Sequence, residues 1–291
     1  MERGAFTFLA ETLPELRAPH VLASVRPWVD VGNVGTLVLG DVEAALKAEP
    51  LARLTKPGTF FDFTRYRPTA YFKEGQREVE LPNAVINYAR GPGANDFLFF
   101  HLLEPHANGE DFVYSLLDIM TSFGATRYFM VGAMYDMVPH TRPLLISGSA
   151  SDQRTQQTFA NYGVRTSQYQ GPTTILTLLA REAARKDMDS MSLIVRLPQY
   201  APLEEDHTGR LRLLKLLDAI YPLRLPVDTV EALSEEQLRQ VNAAVESNPQ
   251  LKRVLQHLEE RYESENNGQD TSSELPPLPP SIEKFLREME P

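Results

Sequence analysis

The sequence contains no cysteine and a single tryptophan, Trp28, among its 291 residues. Without a thiol the chain can form neither disulfides nor thiolate-bound zinc or iron–sulfur sites, and it has no cysteine nucleophile. No apolar run approaches the roughly 18 residues of a membrane span. The first residues also lack the basic region and the long apolar stretch of a secretion signal. These absences predict a cytoplasmic protein with no membrane partner.

Motifs for nucleotides and metals are missing as well. No G-x-G-x-x-G, Walker loop or G-x-S-x-G elbow follows a predicted strand. The glycine pair in "GNVG", residues 32–35, is more typical of close helix–strand packing than of a phosphate site. The six histidines never show the i, i+4 spacing of a helical zinc site. We therefore expect no cofactor and no metal.

Acidic residues are in excess, with 39 Asp and Glu against 29 Lys and Arg, a net charge of −10. This balance argues against nucleic acid as a partner, because phosphate binding depends on clustered Lys and Arg. From Asp228 onward there are 14 acidic and 6 basic residues, which leaves 25 against 23 in residues 1–227. A nearly neutral body thus carries an acidic tail region.

Residues 1–227 alternate strand-like apolar runs with helical patterns, which predicts an α/β core domain with a mostly parallel sheet covered by helices. A turn signal at residues 73–76 predicts an antiparallel excursion between two strand-like segments. The predicted main strands are "HVLASVRPW", "DFLFFHLL", "TRYFMVGAM", "PLLISG" and "MSLIVRLP".

Residues 228–291 have a different sequence pattern from the core domain. Residues 228–263 predict a helical appendage of two short helices, about 235–246 and 249–263, with Ser234 and Gln237 spaced as a capping box. Residues 264–280 are acidic and proline-rich and predict a disordered linker. Residues 281–291 predict a last helix whose apolar face must dock on something.

Six polar residues follow predicted strand ends, where parallel sheets bind their ligands. They are Asp30, Glu104, Asp136, His140, Arg142 and Ser149. If they converge, they could bind a small anion or perform acid–base chemistry. They could equally form a structural ion-pair cluster, in which Arg142, flanked by prolines in "PHTRP", is a buried cation paired with Glu104 or Asp136.

Aromatic and basic residues alternate in "FTRYRP", residues 63–68. In an acidic protein this pattern favours a subunit contact over single-stranded nucleic acid, since Tyr and Arg are enriched in interface cores. The candidate interface residues are Asp62, Arg65, Tyr66 and Arg67.

Several segments in order resemble the proteasome assembly chaperone family, in particular its bacterial branch with a Pro-His-Thr-Arg-Pro signature. They are "PWVDVGNVG", "FFDFTRYRP", "DFLFFHLLEP", "VGAMYDMVPHTRP", "QGPTTI" and "LIVRLPQY". The resemblance implies a three-layer α/β/α body of the phosphorylase/hydrolase-like type, self-association, often as trimers, and no established catalysis. Archaeal and eukaryotic members bind proteasome subunits. The ending Met289-Glu290-Pro291 departs from the hydrophobic-Tyr-any tripeptide that archaeal members insert into proteasome pockets, so we do not expect docking by that route.

Two functions follow from these patterns. One is a chaperone-like, protein-binding homo-oligomer, and the other is an enzyme or binding protein for a small anionic ligand such as a nucleoside or a phosphorylated compound. An open pocket around His140 and Arg142 would favour the second function, and a closed ion-pair knot would favour the first.

The linker composition predicts that deletion of residues 264–291 leaves the body folded. We expect the melting temperature to fall by at most the few degrees that the loss of one docked helix would cause. Thermal melting of the truncated and the full-length chain compares the two, and an insoluble or molten truncation would show that the last helix belongs to the core.

Overall fold

A ten-stranded sheet forms the middle of the structure, a computed structural model that describes residues 1–167 and 169–266. The strands are β1 Glu2–Arg3, β2 Phe6–Phe8, β3 His20–Arg26, β4 Glu49–Leu54, β5 Thr69–Lys73, β6 Gln76–Glu80, β7 Val85–Ala89, β8 Phe97–Leu103, β9 Arg127–Asp136, β10 Ile146–Ala150, β11 Val164–Thr166 and β12 Asp189–Pro198. The sheet order is β1-β2-β4-β7-β8-β3-β9-β12-β10-β11, and β5 pairs only with β6 in a separate hairpin.

The sheet is mixed, with a parallel centre. Strands β8, β3, β9 and β12 run parallel to one another. On one side β7, β4, β2 and β1 add antiparallel pairs, and on the other side β10 runs antiparallel to β12. The predicted parallel sheet therefore holds at the centre, while strands that run antiparallel to their neighbours, among them the predicted strand β10, extend it on both sides.

Helices cover both faces of the sheet. They are α1 Val34–Leu46, α2 Gly109–Ser122, α3 Gln153–Asn161, α4 Ile175–Ala184, α5 His207–Ile220, α6 Val227–Ser247 and α7 Pro249–Asn266. Alternate residues of β3 enter opposite cores: Val21 packs in the core that contains α2 and α4, and Leu22 in the core that contains α1 and α5. A strand buried on both faces reads as a continuous apolar run, as β3 and β8 do. The result is a three-layer α/β/α arrangement.

Helices α6 and α7 form an antiparallel pair with a small core of their own, in which Val241 and Val245 of α6 pack with Val254 and Leu258 of α7. Asn248 caps α7, because its side-chain oxygen accepts the Gln250 N–H at 2.9 Å.

Helices α6 and α7 differ from the two predicted helices, about 235–246 and 249–263, at two places. Ser234 lies inside α6 and does not cap a helix. Its hydroxyl donates to the Thr208 hydroxyl on α5. Helix α7 also continues through Ser264 to Asn266, where the linker was expected to begin. The rest of the predicted linker and the predicted last helix lie outside the described residues.

Within residues 1–167 and 169–266, no helix combines the length and the apolar character that crossing a membrane requires.

Close approach of α1 to β3 explains Gly35, the second glycine of the pair. A Cβ atom added at Gly35 would lie 2.9 Å from Asp30 Oδ1 and closer still to the buried Ser24 hydroxyl. Gly40, on the same helix, has nothing within 4 Å of such an atom.

We expect Gly35→Ala to destabilise the protein by about 1–3 kcal/mol through overpacking. Gly40→Ala is the matched control and should stabilise by about 0.5–1 kcal/mol, because alanine loses less backbone entropy on folding. Denaturant unfolding of the two variants measures this difference. Similar free energies of unfolding for both would contradict the close packing.

Candidate functional site

The six strand-end residues do not converge on one site. Ser149 lies at the opposite edge of the sheet from the rest, because β10 runs antiparallel to β12 and therefore ends where β12 begins. There the Ser149 hydroxyl bonds to Ser192 of β12 at 3.0 Å. The expectation that Ser149 joins the other five is wrong, and the error comes from the assumed direction of β10.

Asp30 is buried between β3 and α1, and it holds the start of that helix. Its carboxylate accepts the Thr36 N–H at 3.0 Å and the Thr36 hydroxyl at 2.5 Å. Burial raises its pKa, and these hydrogen bonds oppose that rise. A carboxylate saturated in this way serves the helix start, not an external ligand.

Asp136 ends β9 and pairs with Arg196 of β12 at 3.0 Å. Its other oxygen accepts the Met137 N–H at 2.7 Å. It therefore ties two parallel strands together and does not contact Arg142.

The segment Pro139–Pro143 is fixed by the appendage. The buried Tyr200 hydroxyl accepts the His140 N–H at 2.8 Å and lies 2.5 Å from its Nδ1. The ring's Nε2 lies 3.0 Å from the Asn242 side-chain oxygen on α6. Burial lowers the pKa of His140 and so favours the neutral ring.

Arg142 has different partners from those expected. It contacts Glu259 at 3.0 Å and Glu263 at 2.5 Å, both on α7, and its side chain is 32% exposed. Neither Glu104 nor Asp136 pairs with it, and it is not a buried cation. The reason is that α7 packs over this segment and brings its own carboxylates closer.

These contacts close the segment "PHTRP" off from solvent-filled space on the α7 side, and two further hydrogen bonds add to them. Thr141 donates to Glu259, and the Tyr262 hydroxyl donates to the Pro143 carbonyl at 3.0 Å. The cavity beside His140 has a volume of about 20 Å³, which is room for about one water molecule. The segment anchors α6 and α7.

An open cleft of about 800 Å³ lies elsewhere on the same carboxyl edge, beyond the ends of β3 and β8. We call it the carboxyl-edge cleft. Its walls are three loops: residues 27–28 after β3, residues 58–66 after β4, and residues 104–107 after β8. The structure thus unites Glu104 from one predicted set with Asp62, Arg65 and Tyr66 from the other.

Hydrogen bonds between the loops fix the cleft. His106 donates its N–H to the Phe60 carbonyl at 2.8 Å, and the Tyr66 hydroxyl donates to the Glu104 carbonyl at 3.1 Å. The Tyr66 and His106 rings pack with centroids 4.5 Å apart. Phe60 and Phe61 are buried beneath them against Phe112 of α2. The cleft is preformed.

The two carboxylates of the cleft are held differently. Glu104 accepts the Ile175 N–H at 2.8 Å, which caps α4, while its second oxygen, Oε2, is buried and has no partner among the described residues. Burial raises the pKa of Glu104. Asp62 accepts from the Thr64 hydroxyl and N–H, which lowers its pKa, and Arg65 approaches it only at 4.0 Å.

Trp28 is the prominent surface group that the patterns did not single out, and 71% of it is exposed at the cleft. A signal was available, since the only tryptophan directly follows a buried strand in "RPW", just as His106 follows one in "EPH". Arg65 and Arg67 are also exposed, whereas Tyr66 is half-buried in the wall. Their role as an interface remains a prediction.

No three His, Asp or Glu side chains come close enough to hold a metal ion anywhere in the described ranges.

The anchoring role of "PHTRP" predicts that Tyr200→Phe destabilises the protein by about 1–3 kcal/mol, because the buried His140 N–H loses its acceptor. Tyr114→Phe alters an exposed tyrosine on α2 and should change the free energy of unfolding by less than about 0.5 kcal/mol. Chemical denaturation compares them. A neutral Tyr200→Phe would contradict the anchor.

Solved structures share this fold. A protein of unknown function from Mycobacterium tuberculosis superimposes with a TM-score of 0.79 at 20% identity, over 99% of this chain and 98% of its own. A PAC2 family protein from Streptomyces avermitilis has a TM-score of 0.72 at 23% identity, over 81% of this chain and 99% of its own. A proteasome-assembly chaperone homologue from M. tuberculosis has a TM-score of 0.71 at 20% identity, over the same shares.

Among curated proteins, no sequence matches the chain significantly. The family model of PAC2 matches residues 24–245, which is well over half of the chain. The chain therefore belongs to the PAC2 family.

Proposed function

We propose that this protein is a chaperone-like, protein-binding protein that self-associates, as a trimer in keeping with the family resemblance, and that its clients are proteasome-related proteins. The carboxyl-edge cleft is its interface. The candidate residues Asp62, Arg65, Tyr66 and Arg67 belong to this face or border it.

The observation that carries the proposal is the exposed Trp28 beside an open, preformed cleft with aromatic walls. Tryptophan, tyrosine and arginine dominate the energetics of protein interfaces, and they do so around a fixed pocket. The cleft combines Trp28, Tyr66 and Arg65. Family membership, and a structural relative described as a proteasome-assembly chaperone homologue, support the same function.

The geometry gives little support to the alternative function, an enzyme or binding protein for a small anion. The region of His140 and Arg142 is closed by α6 and α7. The open cleft carries two carboxylates, Asp62 and Glu104, against one Arg65, and this balance does not attract an anion.

Photo-crosslinking in the native cell tests the proposal. A photoreactive phenylalanine analogue at Ala107, an exposed residue of the cleft, should form adducts with proteins, identified by mass spectrometry as copies of this chain or proteasome subunits. The same analogue at Tyr114 on α2 is the matched control and should give few adducts.

A different result would contradict the proposal. If Ala107 gives no more protein adducts than Tyr114, while a nucleoside or a phosphorylated compound raises the melting temperature in a concentration-dependent way, the small-ligand alternative is correct.

A further inference from the structure

The hairpin of β5 and β6 stands apart from the rest of the molecule. It pairs with no strand of the main sheet, and nine of its ten strand residues are exposed, with only Glu78 partly buried. A two-stranded hairpin alone in water is marginally stable at best. A surface that covered it would stabilise it.

The two faces of this hairpin differ in chemistry. Cross-strand partners share a face, and the pairs Ala70–Val79 and Phe72–Arg77 make one face largely apolar. Phe72 is 77% and Val79 59% exposed. The opposite face is polar, with the Tyr71 hydroxyl donating to Glu78 at 2.8 Å. Only the first face is of the kind that proteins bury.

Arg77 is the one charge on the apolar face, and it makes no hydrogen bond or ion pair within the part of the chain that the structure describes. The carboxyl-edge cleft offers the complement. It has exposed rings at Trp28 and His106 and an exposed carboxylate at Asp62.

We propose that the apolar face of the hairpin of one copy docks into the carboxyl-edge cleft of a second copy. Phe72 and Val79 pack against the rings of the cleft, and Arg77 lies beside the exposed carboxylate of Asp62. The inference rests on the self-association in the proposed function and names the two surfaces that meet.

In the trimer of the proposed function this contact is heterologous, because the hairpin of each copy enters the cleft of the next copy around the ring. Until the ring closes, an open assembly retains one free hairpin at one end and one free cleft at the other. An isologous dimer has no such free surfaces, so the two kinds of assembly can be distinguished by mixing variants.

Phe72→Ala with Arg77→Glu removes the proposed contacts at exposed positions. We expect self-association to weaken at least about tenfold, as for the loss of an interface hot spot, measured as the weight-average mass in analytical ultracentrifugation across a dilution series. Tyr71→Ala with Lys73→Glu changes the polar face of the same hairpin and is the matched control, which should retain the wild-type mass.

A mixing experiment tests the pairing directly. Ala107→Trp fills the cleft at an exposed position and should weaken self-association to a similar extent. When this variant is mixed with the Phe72→Ala/Arg77→Glu variant, the intact hairpin of the first can enter the intact cleft of the second. We expect a one-to-one heterodimer and no larger species.

Two results would overturn the inference while leaving the proposed function standing. One is an oligomeric wild type whose mass the hairpin variant does not change, and the other is a mixture that yields no heterodimer. If the hairpin variant keeps its mass but loses crosslinks to a proteasome subunit, the occupant is a client. A monomeric wild type overturns both the inference and the proposed self-association.

Discussion

The direction of β10 is the constraint on which the rest of this structure depends. Strand β9 delivers the chain to the carboxyl edge, and β10 starts from that same edge because it pairs antiparallel with β12. The intervening residues 137–145 must therefore reverse at the edge without a crossover helix. Their polar groups need partners there, and Tyr200, α6 and α7 supply them.

This reversal divides the carboxyl edge into two halves. Over β9, β12 and β10 the edge is closed by "PHTRP" and the two appended helices, which leave a cavity of about 20 Å³. Over β3 and β8 no such cover lies among the described residues, and the loops there enclose about 800 Å³. The arrangement that stabilises one half leaves the other half as the accessible surface, and the exposed hairpin follows the cleft loop of residues 58–66 in the sequence.

Much of the fold could be predicted from the sequence, since the central strands are buried on both faces and read as continuous apolar runs. The hairpin at residues 73–76 and the packing role of Gly35 were also visible. The partners of Arg142 were not, because they depend on how α7 crosses a segment more than 100 residues away. Ser149 was misplaced for a related reason, as a strand's pattern does not encode its direction.

The candidate site, like the fold, could be predicted from the sequence only in part. Glu104, Asp62, Arg65 and Tyr66 were each identified, but in two separate sets, because no pattern connects a loop after β4 with a loop after β8. Their union requires the pairing of β7 between those strands. Trp28 joins them only through the neighbouring position of β3 in the sheet.

Hydrogen exchange at two protein concentrations tests the central claim most directly, since association protects the amides that an interface covers. If the open half of the carboxyl edge is the interface, raising the concentration should slow exchange in residues 58–66, 69–80 and 104–107 and leave α6 and α7 unchanged. Protection confined to α6 and α7, or to the opposite edge of the sheet, would contradict it.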